Sequence, residues 1–190
     1  MHLSSLTPEF QVLIVYNPAA GQSPHLVATL DRVANLWRDL GWRVDIAATT
    51  APGDATIRAQ QAAADGYNAV IAAGGDGTVN EVMNGLIGTN TALGTLPLGT
   101  VNIWAREMGL SMDMLKAAAS LAQSDLTKID VGMAGDRYFL LMAGIGFDAA
   151  VTETVCAQAK KRLGAIAYLK QAIQVAWNFR GVRLNLRIDG

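Results

Sequence analysis

The densest chemical signal in this sequence is a run of three glycines and one carboxylate, Gly74-Gly75-Asp76-Gly77-Thr78. It follows the apolar stretch Ala69–Ala73 and precedes Val79-Asn80-Glu81-Val82. That order reads as a buried strand, a tight turn and a helix. Glycines let the chain turn sharply and let a ligand approach main-chain N–H groups with no Cβ in the way. A helix start adds unpaired donors and the positive end of the helix dipole, which suits the segment to phosphate. Asp76 repels phosphate unless a cation stands between them, directly or through water, and Mg²⁺ is the expected ion. A plain strand-to-helix turn needs neither three glycines nor an acid. Thr78 and Glu81 stand at capping-box spacing, which predicts a helix start at Thr78 and a helix over 79–86.

A second turn has a similar build: Leu96-Pro97-Leu98-Gly99-Thr100-Val101-Asn102, with Thr100 as the expected cap. In a parallel sheet, successive strand ends line one crevice, so Gly74–Thr78 and Gly99–Asn102 can face one ligand. A third turn, Asn17–Gly21, falls on the same edge. Asn17 suits a local Asx-turn as well as a ligand contact. Other phosphate motifs fit less well. The sequence has no G-x-x-x-x-G-K-[ST], so it is not a P-loop protein. Gly144-Ile145-Gly146-Phe147-Asp148-Ala149 matches the dinucleotide spacing G-x-G-x-x-A, but no Asp or Glu lies between Glu153 and Asp189 to take the ribose. Those glycines read as a tight crossing or an interdomain hinge. Cys156 reads as a small hydrophobe, and with His2 and His25 the only histidines, a His/Cys metal site is not expected.

The elements that must position these turns alternate in type. Strands are expected at Val12–Tyr16, Arg43–Ala48, Ala69–Ala73 and Leu93–Leu96. The first helix has Ser23 as expected cap, Pro24 at its first position and Gly41 past its end, with Leu26, Leu30, Val33, Trp37 and Leu40 on one face. Helices follow over Ala55–Ala64, capped by Asp54 after the Pro52-Gly53 turn, then near Val101–Met108 and over Met112–Gln123. This is an α/β pattern: a parallel sheet with helices on both faces. After Ser124 the pattern changes. Lys128–Met133 and Tyr138–Ala143 read as a hairpin about Ala134–Arg137, then a long helix over Lys161–Phe179 and an alternating strand over Val182–Ile188. The expected division is an α/β domain over 1–125, and over 126–190 a hairpin, a helix and the start of a β-rich second domain that the chain does not complete.

With 51% hydrophobic and 16% charged residues, the chain is a folded, core-rich protein. A net charge of −1 provides no basic field for nucleic acid, so no nucleic-acid partner is expected. One cysteine allows no intrachain disulfide, which fits a reducing cytoplasm. No signal peptide and no bilayer-spanning stretch are expected. Lys160-Lys161-Arg162, followed by the apolar and aromatic segment 163–179, is compatible with peripheral contact at an anionic membrane, although an ordinary interdomain helix is the preferred reading.

Three motifs in order, Gly74–Val82, Leu96–Asn102 and Gly144–Ala149, resemble the diacylglycerol kinase catalytic-domain family of bacterial lipid kinases, diacylglycerol kinases and sphingosine kinases. The resemblance runs from about Gln11 onward, and its first element is shared with NAD kinases and 6-phosphofructokinases. It implies an NAD kinase/phosphofructokinase-like nucleotide domain and an enzyme of lipid and phospholipid metabolism. That enzyme transfers the ATP γ-phosphate, with Mg²⁺, to a lipid with a free hydroxyl. Carried over by position, Gly74, Gly75, Asp76, Gly77, Thr78 and Val79 hold the ATP phosphates. Gly99, Thr100 and Asn102 form the second contact, and Thr49 and Asn17 are further nucleotide contacts. Asp76 and Asp130 organise the metal. Ile103 stands where some members have Asp, which removes one carboxylate from the metal network. The family's general base lies in the second domain, so the expectation is nucleotide binding by a chain without that base. NAD kinase and a non-catalytic nucleotide-binding module are the alternatives, and the sequence does not fix the oligomeric state.

Overall fold

The computed structural model describes residues 10–20, 24–99, 101–146 and 149. Four parallel strands form the sheet: β1 (Gln11–Tyr16), β2 (Arg43–Ala48), β3 (Ala69–Gly74) and β4 (Ala92–Pro97). Their order is β2-β1-β3-β4. The chain therefore steps from β1 to one side, then returns across β1 to place β3 and β4 on the other. Right-handed crossovers force helices onto opposite faces when the step direction reverses.

The two cores record that rule. On one face, α1 (Leu26–Arg38) and α5 (Met114–Leu121) bury Leu30, Val33, Trp37, Ala117 and Ala118 against Val12, Ile14 and Ile71. On the other, α2 (Asp54–Ala64) and α3 (Asp76–Leu86) bury Ala55, Ala59, Val79 and Val82 against Val15, Val70 and Ala72. Alternate residues of β1 and β3 thus serve opposite cores, as the period-two pleat requires. The central strand β3 is buried along its whole length, which is why it reads as a continuous apolar run.

The end of α1 differs from expectation. Leu40 is 56% exposed, because the helix stops at Arg38 and Gly41 turns the chain at φ +85°. Trp42 replaces it, its N–H bonding the Trp37 carbonyl at 3.1 Å and its ring packing on Phe10 and Trp37 at 4.8 and 5.8 Å. Trp37 also donates from Nε1 to the Ala118 carbonyl at 3.0 Å, joining α1 to α5. Pro24 lies in a turn before the helix, and Ser23 falls outside the described residues.

Three other helix starts are shifted. Gly53, at φ +85°, takes the α2 cap position expected of Asp54, since glycine adopts that conformation without strain. Helix α3 starts at Asp76 after the Gly75 cap, so Thr78 lies inside it and no capping box forms. Helix α5 starts at Met114, where the Asp113 carboxylate accepts the Lys116 N–H. A fourth helix, α4 (Ile103–Glu107), is short and starts from Asn102.

The hairpin is shorter than expected: β5 (Gly132–Ala134) pairs antiparallel with β6 (Arg137–Phe139) across Gly135 and Asp136. Asn84 of α3 holds it by an amide clamp, accepting the Tyr138 N–H and donating to the Tyr138 carbonyl, each at 3.0 Å. Residues through Leu141 form one compact unit, and a second begins at Met142. The expected elements at 161–179 and 182–188 lie outside the described residues.

Helices α2 and α3 meet at Gly85. A Cβ there would strike the Thr56 carbonyl and lie 2.7 Å from the Ala59 Cβ and 3.2 Å from the Gln60 amide. Alanine gains roughly 1 kcal/mol over glycine in a helix interior. Overpacking against backbone costs about 1–3 kcal/mol, and here the neighbouring helix cannot yield. Gly85→Ala is therefore expected to lower the denaturation midpoint in urea, whereas a raised midpoint would show that α2 moves aside.

Candidate functional site

Reversal of the chain between β1 and β3 makes a topological switch point at the carboxyl ends of the strands, where such sheets usually form their ligand crevice. Most of the residues singled out from sequence meet there. The Asn17 N–H bonds the Ala73 carbonyl at 3.1 Å, and its Oδ1 accepts the Ala19 N–H at 2.9 Å. The Asx-turn alternative for Asn17 is thus realised. Thr49 follows β2, its N–H on the Tyr16 carbonyl at 2.8 Å. Leu98 donates to the Gly74 carbonyl at 3.0 Å, so the second turn is stitched to the glycine turn.

Glycine is required at several of these positions. A Cβ on Gly74 would enter the Thr78 side chain. One on Gly99 would lie 2.9 Å from the Gly75 Cα and 2.8 Å from the Asn102 Oδ1. By contrast, Gly77 faces open space, with nothing within 4 Å of its built Cβ. The two turns therefore touch backbone to backbone, and the open side lies at the first turn of α3.

That first turn supplies the donors. Thr78 and Val79 already give their N–H groups to the Gly75 carbonyl at 2.9 and 3.2 Å, and the Val79 side chain belongs to the core. These two amides are engaged within the turn itself. Asp76 and Gly77, at the start of the helix, have N–H groups with no intrahelical acceptor.

Asp76 has a structural task that its sequence position does not reveal. Its Oδ1 accepts the Trp104 N–H at 2.9 Å and its Oδ2 the Ile103 N–H at 3.1 Å, so it caps α4 from another element. Asn102, buried and left-handed at φ +49°, exchanges bonds with both the N–H and the carbonyl of Gly99. Asparagine is the residue type that tolerates that conformation while bonding locally. Ile103 thus presents the amide that holds Asp76. Asp130 is exposed in the segment before β5. Thr100 falls outside the described residues.

Glu81 gave only a mistaken capping signal in the sequence. Its Oε2 accepts the Gly53 N–H at 3.0 Å, and its carbonyl accepts the Thr56 hydroxyl at 2.8 Å. No local pattern predicts a bond across 28 residues.

No group of three or more His, Cys, Asp or Glu able to hold a metal occurs among the described residues. Mg²⁺ commonly takes one or two carboxylates and completes its shell with phosphate and water, so it does not need such a cluster. Each Asp76 oxygen accepts one amide and keeps a lone pair, which is compatible with that role.

Beside the crevice, Asp54 Oδ2 accepts the Thr50 N–H at 2.8 Å, the Thr50 hydroxyl at 3.1 Å and the Arg58 Nε at 3.2 Å. The Thr50 amide, ahead of desolvation and of the Thr50 hydroxyl and Arg58, sets the balance that holds the Asp54 carboxyl below its ordinary 3.8. A lowered folded value contributes stability above the unfolded pKa and loses it as pH falls through the folded one. The Thr50 amide resonance should therefore titrate with a midpoint below 3.8 and stop doing so in Asp54→Asn. A midpoint at or above 3.8 would contradict this bond pattern.

The chain is similar to known proteins in sequence and fold. The family model of the diacylglycerol kinase catalytic domain matches residues 11–134. A diacylglycerol kinase of Bacillus subtilis is 36% identical over 183 residues, 93% of this chain and 59% of the relative. One from Staphylococcus aureus is 32% identical over 179 residues, 93% of this chain and 56% of the relative. The chain thus spans a little over half the length of these relatives. A crystal structure of a diacylglycerol kinase from Bacillus anthracis superposes with a TM-score of 0.61 at 32% identity, covering 69% of this chain and 48% of that one. Fold and sequence similarity agree, and the chain belongs to the diacylglycerol kinase catalytic-domain family.

Proposed function

We propose that this chain is the nucleotide-binding part of an ATP-dependent lipid kinase, which moves the ATP γ-phosphate to a lipid hydroxyl. The observation that carries the proposal is the open first turn of α3, where the Asp76 and Gly77 amides stand at the strand switch point beside Gly99. Helix-start donors of this kind bind phosphate oxygens with no reorganisation. The Thr49 loop and Asn17 turn line the rest of the crevice and are read as nucleotide contacts, together with Thr100 of the second turn.

In this reading the residues position and neutralise rather than react. Phosphoryl transfer needs little covalent help from a protein, and most catalysis lies in alignment and charge. The Gly74–Gly77 backbone orients the phosphate chain, and Asn102 fixes the Gly99 turn against it. When bound, Mg²⁺ offsets the charge of the transferring phosphoryl group, with Asp76 as the carboxylate placed to receive it and Asp130 as a second candidate. The acceptor is a lipid alcohol, which agrees with the names of the relatives. Its deprotonation is assigned to a group beyond the described residues. No described helix is long and apolar enough to cross a membrane, so access to a lipid is read as peripheral.

Isothermal titration should show ATP binding that Mg²⁺ strengthens. Asp76→Ala should weaken ATP–Mg²⁺ by about tenfold or more and metal-free ATP much less, since a hydrogen-bonded charge contributes about 1.5–3 kcal/mol. Equal losses with and without Mg²⁺ would show that Asp76 serves only the α4 cap. Robust NADP⁺ formation from NAD⁺ and ATP would replace the lipid reading with NAD kinase.

A further inference from the structure

The loop from Thr49 to Gly53 must hold still against the glycine turn if both contact one ligand, and its anchors are unequal. The Thr49 N–H bonds the Tyr16 carbonyl, and the Thr50 N–H bonds Asp54. These fix the loop to the sheet and to its own helix. Among the described residues, the bond that ties the loop to α3 is the one from the Gly53 N–H to the Glu81 carboxylate. Gly53 is the cap residue of α2, so its amide lies at the positive end of that helix, where a carboxylate makes a charge-assisted bond.

The main chain of Glu81 does a separate job. Its carbonyl accepts the Thr56 hydroxyl, and Gly85 lets the helices meet closely. These contacts do not need the Glu81 side chain. Loss of the carboxylate therefore releases the Gly53 end of the loop from α3 while α2 stays docked and Thr49 keeps its bond to β1.

We propose that Glu81 is a positioning residue: by holding the Gly53 amide, it fixes the Thr49 loop against the phosphate turn and so sets the affinity of the crevice for a nucleotide. This rests on the nucleotide-binding reading above. Glu81 makes no contact with the phosphate turn's open side through this bond. It acts through Gly53, at the far end of the loop that begins at Thr49.

The test is ATP–Mg²⁺ affinity by titration calorimetry on the 190-residue chain, with Tm and hydrogen exchange at the Gly53 amide measured in parallel. Glu81→Ala is expected to weaken binding by about tenfold, the value of one charge-assisted hydrogen bond. Glu81→Gln, whose amide oxygen can accept the Gly53 N–H, should recover most of that loss. Thr56→Val removes the helix-to-helix bond, lowers Tm and should leave affinity unchanged.

The proposal is overturned if Glu81→Ala binds within about twofold of the parent, if Glu81→Gln recovers nothing, or if Thr56→Val weakens binding as much at the same loss of Tm. If the parent chain binds no ATP, the lipid-kinase reading falls instead. The Gly53 amide then decides the positioning role. Faster exchange in Glu81→Ala but not in Thr56→Val supports the hold on the loop, and unchanged exchange overturns it.

Discussion

Two acids of α3 cap two other helices, and the shape of the crevice depends on that arrangement. Asp76 holds the first amides of α4, and Glu81 holds the cap amide of α2. Helix starts leave N–H groups unpaired, and a carboxylate is the strongest side-chain acceptor for them. Such a carboxylate usually comes from the same chain segment. Here both come from one helix, so the turns before α2 and α4 are placed relative to the turn before α3. Three strand ends thereby share one frame of reference. An exposed capping bond contributes about 1 kcal/mol, which is modest for stability. Its geometric effect is larger, because it sets which donors remain free. The amides that α3 leaves open are its own, since its acids are committed to its neighbours.

Close packing makes this frame possible. Side-chain acids are short, so α2 and α4 must approach α3 closely. Gly85 permits the first approach, and the alanines of α2 continue it. The Gly75–Gly99 contact permits the second. The opposite face of the sheet uses large residues instead, with Trp37, Trp42, Phe10 and Leu30 filling the space under α1. The face with small residues brings helix ends together at the crevice. The face with large residues supplies most of the buried apolar area and hence the larger share of the hydrophobic stabilisation.

The sequence revealed the sheet better than the caps, for a physical reason. Strands β1 to β4 follow from runs of apolar residues, which are local and set by burial on two faces. Parallel order follows from helices between strands. Caps are decided by which acceptor reaches an amide, and that acceptor can be distant in sequence. Thr78 and Glu81 had the spacing of a capping box, yet Glu81 serves Gly53 and Thr78 packs under Gly74. Leu40 had helical spacing, but Gly41 ended the helix and left Trp42 to fill the core. The glycine turn itself was legible, because three glycines beside an acid have few other uses. The double bond that Asp76 makes to α4 was not, because nothing near Asp76 in sequence names its partners.

That bond sharpens what a metal can ask of Asp76. A surface carboxylate is free to rotate toward a cation, and its ordering opposes binding. Asp76 is already fixed, with one amide on each oxygen, so that entropy is lost on folding instead. Its remaining lone pairs point in directions set by α4. The same amides draw electron density from the carboxylate and weaken each oxygen as a donor. The first effect favours any contact made by Asp76 and the second weakens it, so in the proposed function Asp76 is an oriented acceptor whose strength is set by α4. Ile103 contributes through its backbone, since its amide is one of the two that orient Asp76. In the proposed function, a carboxylate held this way keeps the α4 cap intact as ligands exchange.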